Sequence, residues 1–314
     1  MTNPMQPCHQ PTFFFIGVTT GQSAAQRLFP RWMALLNRPE VILRGVDFRI
    51  HDEPMRYRQL VAAIKADPLA LGGLITTHKI DLLSASRDLF DQLDPYARLC
   101  EEVSCLSKRG DAFLGHAIDP VADGQALDAI LGAGYFGRTG GDVLCLGAGG
   151  AAAALALHLI NQPQPADRPR HFTFVDIDAQ RLANVRAMAE KLPTEIVFHY
   201  QQTNAADEND RLLAALPPAS VVINATGLGK DRPGSPITDQ AHFPTHGVAW
   251  ELNYRGDLDF MHQAIRQQTS RNLTVADGWV AFLHGWTGVI AQVLAIEITP
   301  DLFQQLATVA AQYR

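Results

Sequence analysis

The sequence predicts an α/β protein with two domains, each built around a mainly parallel sheet. Short apolar runs typical of buried strands alternate with segments whose apolar residues recur at helical spacing. A second block of the same alternation begins near Asp142, and 314 residues is a length that fits about two domains. We therefore expect one domain over residues 1–119, completed by 278–314, and a second over residues 120–277.

Composition narrows the classes of function. Apolar residues make up 47% of the chain and charged residues 18%, as in ordinary globular proteins. A net charge of −6 without a basic run disfavours binding to nucleic acids or membrane surfaces. The apolar runs fall short of the roughly 20 residues that cross a bilayer. We expect neither a membrane partner nor a nucleic-acid partner.

Cysteine usage and the N-terminus predict the compartment. The four cysteines form no C-x-x-C pair, which is typical of reduced thiols in the cytoplasm. Residues 1–12 contain three prolines and lack the basic start of a signal peptide, so we expect a frayed tail. No cluster of histidines, cysteines and carboxylates has the spacing of zinc ligands, and no metal is expected.

The first block contains strands and helices in alternation, and glycine or proline closes several of them. The predicted elements are a strand at 13–18, a helix at 23–37, a strand at 41–50, a helix at 54–67 and a strand at 72–77.

The second block has the β-α-β-α-β order of a doubly wound, Rossmann-type nucleotide-binding domain. Its predicted strands are 143–146, 171–175, 195–200 and 220–224, and its predicted helices are 151–160, 179–191 and 207–216.

A glycine-rich turn follows the first strand of this block. The run Gly147-Ala148-Gly149-Gly150-Ala151-Ala152 fits the G-x-G-x-x-G/A pattern. The first glycine permits a tight turn, the second lets the backbone approach a diphosphate, and the small last residue allows close packing. The diphosphate would bind the first amides of the following helix. The alternative is a glycine-rich turn that has a packing role alone. The predicted strand before the turn and the predicted helix after it disfavour this alternative.

Asp176 ends the next predicted strand and bears on the choice of cofactor. A carboxylate at this place accepts hydrogen bonds from the ribose hydroxyls of NAD and repels the 2′-phosphate of NADP. Only Ile177 and Asp178 follow directly, and neither is an arginine. We therefore expect NAD, with NADP as the alternative. An Asp that only caps the next helix is the other interpretation, and Asp178 is better placed for that role.

Six segments occur in one order along the chain: Thr77-His78-Lys79, Gly115-His116-Ala117-Ile118-Asp119, Leu146–Ala152, Ile223-Asn224-Ala225-Thr226-Gly227-Leu228-Gly229, Glu251-Leu252-Asn253-Tyr254 and His284-Gly285. With them, the chain resembles the shikimate/quinate dehydrogenase family over nearly its whole length, as a divergent paralogue. The resemblance implies a substrate domain followed by a Rossmann NAD(P)-binding domain, with C-terminal helices that return to the first domain. It also implies oxidoreduction between alcohol and ketone on a cyclic hydroxy acid of the shikimate/quinate type.

The resemblance also implies roles for single residues. Lys79 and Asp119 would be catalytic, because the reacting hydroxyl must lose or gain a proton and a carboxylate can orient a lysine that does this. A solvated lysine and a helix-capping aspartate before Pro120 are the plainer interpretations. The substrate-binding residues would be Ser23, Thr76, Ser104, Tyr254 and His284, although Tyr254 could equally be a core residue. Asn224, Ala225, Thr226 and Gly227 would bind the cofactor together with Gly147–Ala151 and Asp176.

Departures from the family pattern predict a different substrate. The Ser-x-Ser motif appears as Ser23-Ala24-Ala25, and counting back from Lys79 places Ile75 where the family has a threonine. Ser104 and Ala117 replace asparagines, and His284 stands for a glutamine. Because a site built for several ring hydroxyls loses affinity when its polar groups are removed, we expect weak activity on shikimate. A less hydroxylated or bulkier cyclic acid is the expected substrate.

Two other functional classes stay open at this point. A relative of the folate-interconverting dehydrogenases would also present a lysine before its cofactor domain, but the 224–229 loop and Asp119 favour the shikimate family. A non-catalytic sensor of NAD or of a metabolite would have no need for a proton-transfer pair. The protein is expected to be a monomer or a homodimer.

Overall fold

The computed structural model describes residues 6–230 and 232–314, so that residues 1–5 of the expected N-terminal tail and residue 231 lie outside it. The chain divides into two compact units. The first unit comprises Met1–Ile118 and Gly285–Arg314, and the second unit comprises Asp119–His284. The boundaries expected from the sequence were residues 119/120 and 277/278.

In the described part of the chain, the first unit contains six strands, four helices before Asp119 and the C-terminal helical segment. Its elements are β1 (Thr12–Gly17), α1 (Ala25–Leu35), β2 (Ile42–Asp47), α2 (Pro54–Ala66), β3 (Ala70–Ile75), α3 (Lys79–Ser86), β4 (Gln92–Leu93), α4 (Pro95–Cys100), β5 (Cys105–Arg109) and β6 (Ala112–His116).

The sheet of the first unit is mixed, with the strand order β2-β1-β3-β5-β6-β4. Strand β1 pairs in parallel with β2 and β3, as the alternation of strands and helices predicts. Strands β5 and β6 form an antiparallel hairpin whose two-residue turn is Gly110-Asp111. Gly110 has a φ of +58°, a conformation that glycine adopts without steric cost. This hairpin was not among the predicted elements.

The second unit begins with two helices and continues as the alternating domain. Its elements are α5 (Asp119–Leu131), α6 (Tyr135–Thr139), β7 (Val143–Leu146), α7 (Gly150–Ile160), β8 (His171–Asp176), α8 (Ala179–Ala189), β9 (Val197–Gln202), α9 (Ala206–Ala214), β10 (Val221–Asn224), β11 (Val248–Glu251), α10 (Asp259–Arg271) and β12 (Thr274–Ala276). Helix α11 (Trp279–Leu294) crosses the boundary at Gly285, and α12 (Pro300–Ala310) follows in the first unit.

The sheet of the second unit is parallel throughout, with the order β12-β11-β10-β7-β8-β9. Read from β9, the strands follow the order 3-2-1-4-5-6 of the Rossmann fold. The connections reverse direction between β7 and β10, and ligands of such sheets bind beyond the carboxyl ends of the strands at this switch point. Gly147 directly follows β7, and the 224–229 loop begins at the end of β10, so both lie at this switch point. The α/β fold class predicted from the sequence is confirmed.

The C-terminal segment completes the core of the first unit. Trp286, which is 3% exposed, packs against the rings of Phe13, Phe15 and Trp32 at centroid distances of 5.0–6.3 Å. The indole N–H of Trp32 donates to the carbonyl oxygen of Leu306 at 3.0 Å. Trp286, on α11, is therefore a core residue of the first unit. Among the described residues, no helix combines the length and apolarity that crossing a membrane requires.

Candidate functional site

The glycine turn connects β7 to α7 in the second unit. Gly147 has a φ of +105°, and a Cβ there would lie 2.6 Å from the carbonyl oxygen of Ala225. Both facts exclude a side chain, because L residues rarely adopt this φ and the Ala225 backbone occupies the space. The glycine turn and the 224–229 loop are therefore in direct backbone contact.

The N-terminus of α7 can accommodate a phosphate group. Helix α7 begins at Gly150, and its first turn carries N–H groups that have no acceptor within the helix. A Cβ at Gly149 would meet nothing within 4 Å, so the absence of a side chain leaves open space before these amides. The helix dipole favours an anion in this position. The geometry fits the diphosphate of a dinucleotide.

Asp176 is the last residue of β8 and is 8% exposed. Its Oδ2 accepts a hydrogen bond from the backbone N–H of Ala148 at 2.8 Å, and its Oδ1 accepts from the N–H of Asp178 at 3.0 Å. Each carboxylate oxygen retains a lone pair for a further donor. Asp178 caps α8 through the N–H of Gln180, as expected.

Arg181 is a site residue that the sequence analysis missed. Its Nη1 lies 3.9 Å from Oδ2 of Asp176, and its Nε lies 3.9 Å from Oδ2 of Asp178. The side chain is 53% exposed, so it is free to rotate towards a ligand. The sequence feature that could have indicated Arg181 is its position in the first turn of α8, because this turn lies beside the end of β8.

A cavity of about 330 Å³ in the second unit brings several of these residues together. The lining residues that matter most here are Gly147, Asp176, Asp178, Arg181, Thr226 and Arg232. Two predicted cofactor residues, Asn224 and Ala225, are bonded to residues that line this cavity. Asn224 Oδ1 accepts a hydrogen bond from Oγ1 of Thr226 at 2.7 Å, and the N–H of Ala225 donates to the carbonyl oxygen of Leu146. The cavity thus combines a glycine turn, a strand-ending carboxylate and a cation.

Lys79 begins α3 in the first unit, and a strained turn precedes it. The N–H of His78 donates to the carbonyl oxygen of Thr76 at 2.6 Å, which closes a three-residue γ-turn centred on Thr77. Thr77 has a φ of +63°, an unfavourable conformation for a β-branched residue. Such strain persists only where the surroundings enforce it, and it often accompanies functional sites.

His78 anchors this turn from inside the core. It is 1% exposed, and its Nδ1 lies 3.0 Å from the hydroxyl oxygen of Tyr57. Phe48 and Tyr57 pack against the imidazole ring. Burial lowers the pKa of His78, which favours the neutral imidazole. The role of His78 here is structural, and its neighbour Lys79 is half-buried.

Ser104 ties two segments of the first unit together. Its Oγ accepts a hydrogen bond from the N–H of Ile118, the residue before Asp119, at 2.8 Å. The N–H of Val103 donates to the carbonyl oxygen of Lys79 at 3.3 Å. The backbones of Lys79 and Ile118 are therefore both fixed to residues 103–104. Ser23 is 7% exposed, and its Oγ accepts from the N–H of Ala25 at 3.2 Å.

Two of the departures from the family pattern have a packing explanation. Ile75 and Ala117 are each 1% exposed and belong to the hydrophobic core of the first unit. Core packing alone accounts for their apolar side chains, so neither position is evidence for a lost substrate contact. Thr76, next to Ile75, is half-buried.

The second unit contains the remaining predicted residues. Asp119 is the first residue of α5, where a carboxylate also suits the helix dipole. Tyr254 packs against the rings of Phe282 and Trp279 at centroid distances of 4.6 and 5.6 Å. His284 lies half-buried on α11, and burial lowers its pKa. Ser23, Thr76, Lys79 and Ser104 belong to the first unit. Within residues 6–230 and 232–314, no group of three or more potential ligands could hold a metal ion.

Several known proteins that are similar to this chain are named as shikimate dehydrogenases. No family model matches the chain. The shikimate dehydrogenase (NADP(+)) of Methylobacterium radiotolerans is 26% identical over 275 residues, which cover 87% of this chain and 88% of that protein. The shikimate dehydrogenase (NADP(+)) of Symbiobacterium thermophilum is 26% identical over 234 residues, which cover 74% and 72%.

Solved structures share the fold at lower identity. Shikimate 5-dehydrogenase from Listeria monocytogenes, in complex with shikimate and NAD, superposes with a TM-score of 0.70 at 15% identity, covering 98% of this chain and 99% of that one. The fold is thus that of a two-domain dehydrogenase of this type.

Proposed function

We propose that this chain, a member of the shikimate dehydrogenase-like family, is an NAD(P)-dependent oxidoreductase that interconverts an alcohol and a ketone on a cyclic hydroxy acid. The observation that carries the proposal is the cavity at the switch point of the second unit. There, Gly147 contacts the 224–229 loop, and Asp176 is fixed to the glycine turn through Ala148. These features match what a dinucleotide requires of a Rossmann sheet.

The amides of α7 would bind the diphosphate, and Asp176 would accept hydrogen bonds from the adenosine ribose. The nicotinamide, when bound, supplies or accepts the hydride. Lys79 would take the proton from the substrate hydroxyl during oxidation and return it during reduction, because hydride transfer alone leaves a charge on oxygen. Asp119 is the second catalytic residue of the proposal.

NAD is the proposed cofactor because two carboxylates, Asp176 and Asp178, each lie 3.9 Å from Arg181 in the cavity, which Arg232 also lines. A 2′-phosphate placed there would meet two negative charges, whereas a ribose hydroxyl would find an acceptor. NADP is the second candidate. Arg181 favours it, since an arginine at this place can pair with a 2′-phosphate, and the relatives from Methylobacterium and Symbiobacterium are named as NADP(+) enzymes.

The proposed substrate is a cyclic hydroxy acid with fewer ring hydroxyls than shikimate, or with a bulkier ring. Ser23 would bind its carboxylate, and Thr76 and Ser104 would bind a ring hydroxyl. The segment Ser23-Ala24-Ala25 offers one side-chain hydroxyl. The N–H of Ile118 already donates to Ser104 Oγ, so the Ser104 hydroxyl has less capacity left for a ligand. Tyr254 and His284 would complete the substrate contacts. The four free cysteines support the proposed cytoplasmic location.

The proposal is tested by initial rates of nicotinamide reduction with shikimate, quinate and less hydroxylated cyclic acids, each with NAD and with NADP. We expect turnover of at least one cyclic hydroxy acid, faster with NAD, and weak turnover of shikimate. Binding of NAD without turnover of any acid in the panel would favour a sensor. Failure to bind either dinucleotide would contradict the proposal itself.

A further inference from the structure

The second unit buries a carboxylate that the proposed chemistry does not use. Glu251 is the last residue of β11 and is fully buried. It stands directly beside Asn224, the last residue of β10, in the parallel pairing of the two strands. Burying an ionised carboxylate is costly unless hydrogen bonds compensate for the lost water. The burial of the Glu251 carboxylate at the switch point of the sheet therefore requires hydrogen bonds that compensate for it.

The carboxylate accepts three hydrogen bonds from neutral amide groups. The Nδ2 of Asn224 donates to Oε2 of Glu251 at 2.6 Å. The backbone N–H of Asn253 and its Nδ2 both donate to Oε1, at 2.9 and 2.6 Å. All three partners are donors, so an ionised acceptor satisfies them. Burial raises the pKa of Glu251 to about 7.

These bonds continue into the wall of the cavity. The Oδ1 of Asn224 accepts from the N–H and the Oγ1 of Thr226, at 3.1 and 2.7 Å. The Nδ2 of Asn253 donates to the carbonyl oxygen of Leu228 at 3.2 Å. Thr226 and Leu228 both line the cavity that contains Gly147 and Asp176. The Nδ2 of Asn224 also donates to the carbonyl oxygen of Leu228, at 3.4 Å. Thr226 is thus linked to the carboxylate through Asn224, and Leu228 through both asparagines.

We propose that Glu251 is a positioning residue for the dinucleotide: through Asn224 and Asn253, its carboxylate holds the Thr226–Leu228 wall in the conformation that binds the cofactor. The inference rests on the proposed dinucleotide binding. Glu251 acts on the affinity for the cofactor and takes no part in the proton transfer assigned to Lys79.

The first variant is Glu251→Gln, which keeps the shape and an oxygen that can accept from Asn253, but places an amide N–H₂ against the Nδ2 donor of Asn224. The measurements, made at a pH above the pKa of Glu251, are the dissociation constant for NAD and the steady-state constants. We expect the Kd and the KM for NAD to rise about tenfold or more, since a buried donor without an acceptor destabilises the conformation that binds the cofactor. At saturating NAD, kcat should stay close to the wild-type value.

A double variant provides a rescue. In Asn224→Asp the new carboxylate faces Glu251, and NAD binding should weaken because like charges repel. In Asn224→Asp combined with Glu251→Gln, the donor and acceptor exchange places, while the carboxylate introduced at position 224 still offers an oxygen to Thr226. This double variant should bind NAD more tightly than either single variant.

Ser220→Ala is the matched control. Ser220 is fully buried just before β10, at the end of the strand away from the cavity, and its Oγ accepts from the N–H of Asp142 at 3.0 Å. This variant should lower the melting temperature without changing the Kd for NAD. Unchanged NAD binding in Glu251→Gln, or a double variant no better than both single ones, would overturn the inference. A wild-type protein that binds no dinucleotide would instead show that the proposed function has failed.

Discussion

The carboxylate of Asp176 accepts a hydrogen bond from the backbone N–H of Ala148, which fixes the end of β8 to the glycine turn at 2.8 Å. A second bond, from the N–H of Asp178, holds the other oxygen. The negative charge therefore has a set position beside the cavity, and each oxygen can still accept a ribose hydroxyl. Arg181 lies 3.9 Å away as the only cation paired with this carboxylate among the described residues.

This arrangement predicts a preference for NAD. The wild-type protein should have the higher kcat/KM with NAD, and Asp176→Ser should narrow the ratio of NAD to NADP by about tenfold, because a charge that repels the 2′-phosphate is removed. Arg181→Gln is the matched variant, which removes a positive charge instead of a negative one. It should widen the ratio of NAD to NADP. The measurement is initial rates with both cofactors. Tighter binding of NADP by the unmodified protein would contradict the assignment.

Lys79 and Asp119 should control the chemical step. Lys79→Ala is expected to lower kcat by about 10²–10⁴-fold, the usual contribution of a positioned acid or base, while the Kd for NAD stays unchanged. Asp119→Asn should act in the same direction. Lys65→Ala serves as the control, because Lys65 lies on α2 in an ion pair with Asp91. If both Lys79 and Asp119 variants kept full kcat, the assigned pair would be wrong.

The γ-turn before Lys79 makes opposite predictions for two substitutions of Thr77. Glycine removes a left-handed strain of roughly 1–2 kcal/mol and costs about 0.5–1 kcal/mol in chain entropy, so Thr77→Gly should be neutral or slightly stabilising. Proline fixes φ near −65° and cannot adopt +63°, so Thr77→Pro should destabilise by more than about 1 kcal/mol. Urea unfolding measures both. Equal stability of the two variants would rule out this turn in solution.

His78 should make stability depend on pH. Burial lowers its pKa, so that below an ordinary value of about 6.5 the unfolded chain binds a proton that the folded protein does not. The stability that His78 contributes is therefore present above that pH and is lost as the pH falls through it. His78→Gln should show a shallower loss between about pH 7.5 and about pH 5 in urea unfolding. The exposed His262→Gln is the control, and identical slopes in all three proteins would contradict the prediction.

The dinucleotide-binding half of the fold could be predicted because its signals are local. Gly147 is required by the turn itself, and strand β7 occupies the predicted range Val143–Leu146. The β5–β6 hairpin was missed because its strands are five residues each and include the charged Lys108 and Arg109. Such short strands carry a weak alternation of polar and apolar residues.

The composition of the site could be predicted only in part. Arg181 was missed because its approach to Asp176 depends on where the first turn of α8 places it, which adjacency in sequence does not indicate. Ile75 was interpreted as a lost substrate contact by counting residues, whereas its side chain packs in the core. Glu251 was noted only as part of a motif, because its contacts join residues 27 positions apart in the chain.

The most direct test of the central claim is transfer of a deuterium label. The accepted cyclic hydroxy acid is prepared with deuterium on the carbon that bears the reacting hydroxyl, and the products formed with NAD are analysed by mass spectrometry and NMR. Direct transfer predicts that one deuterium per ketone formed is found on the reduced nicotinamide, and that Lys79→Ala slows this transfer without changing its destination. Deuterium lost to water, or a ketone formed without reduced nicotinamide, would contradict the assignment as a nicotinamide-dependent dehydrogenase.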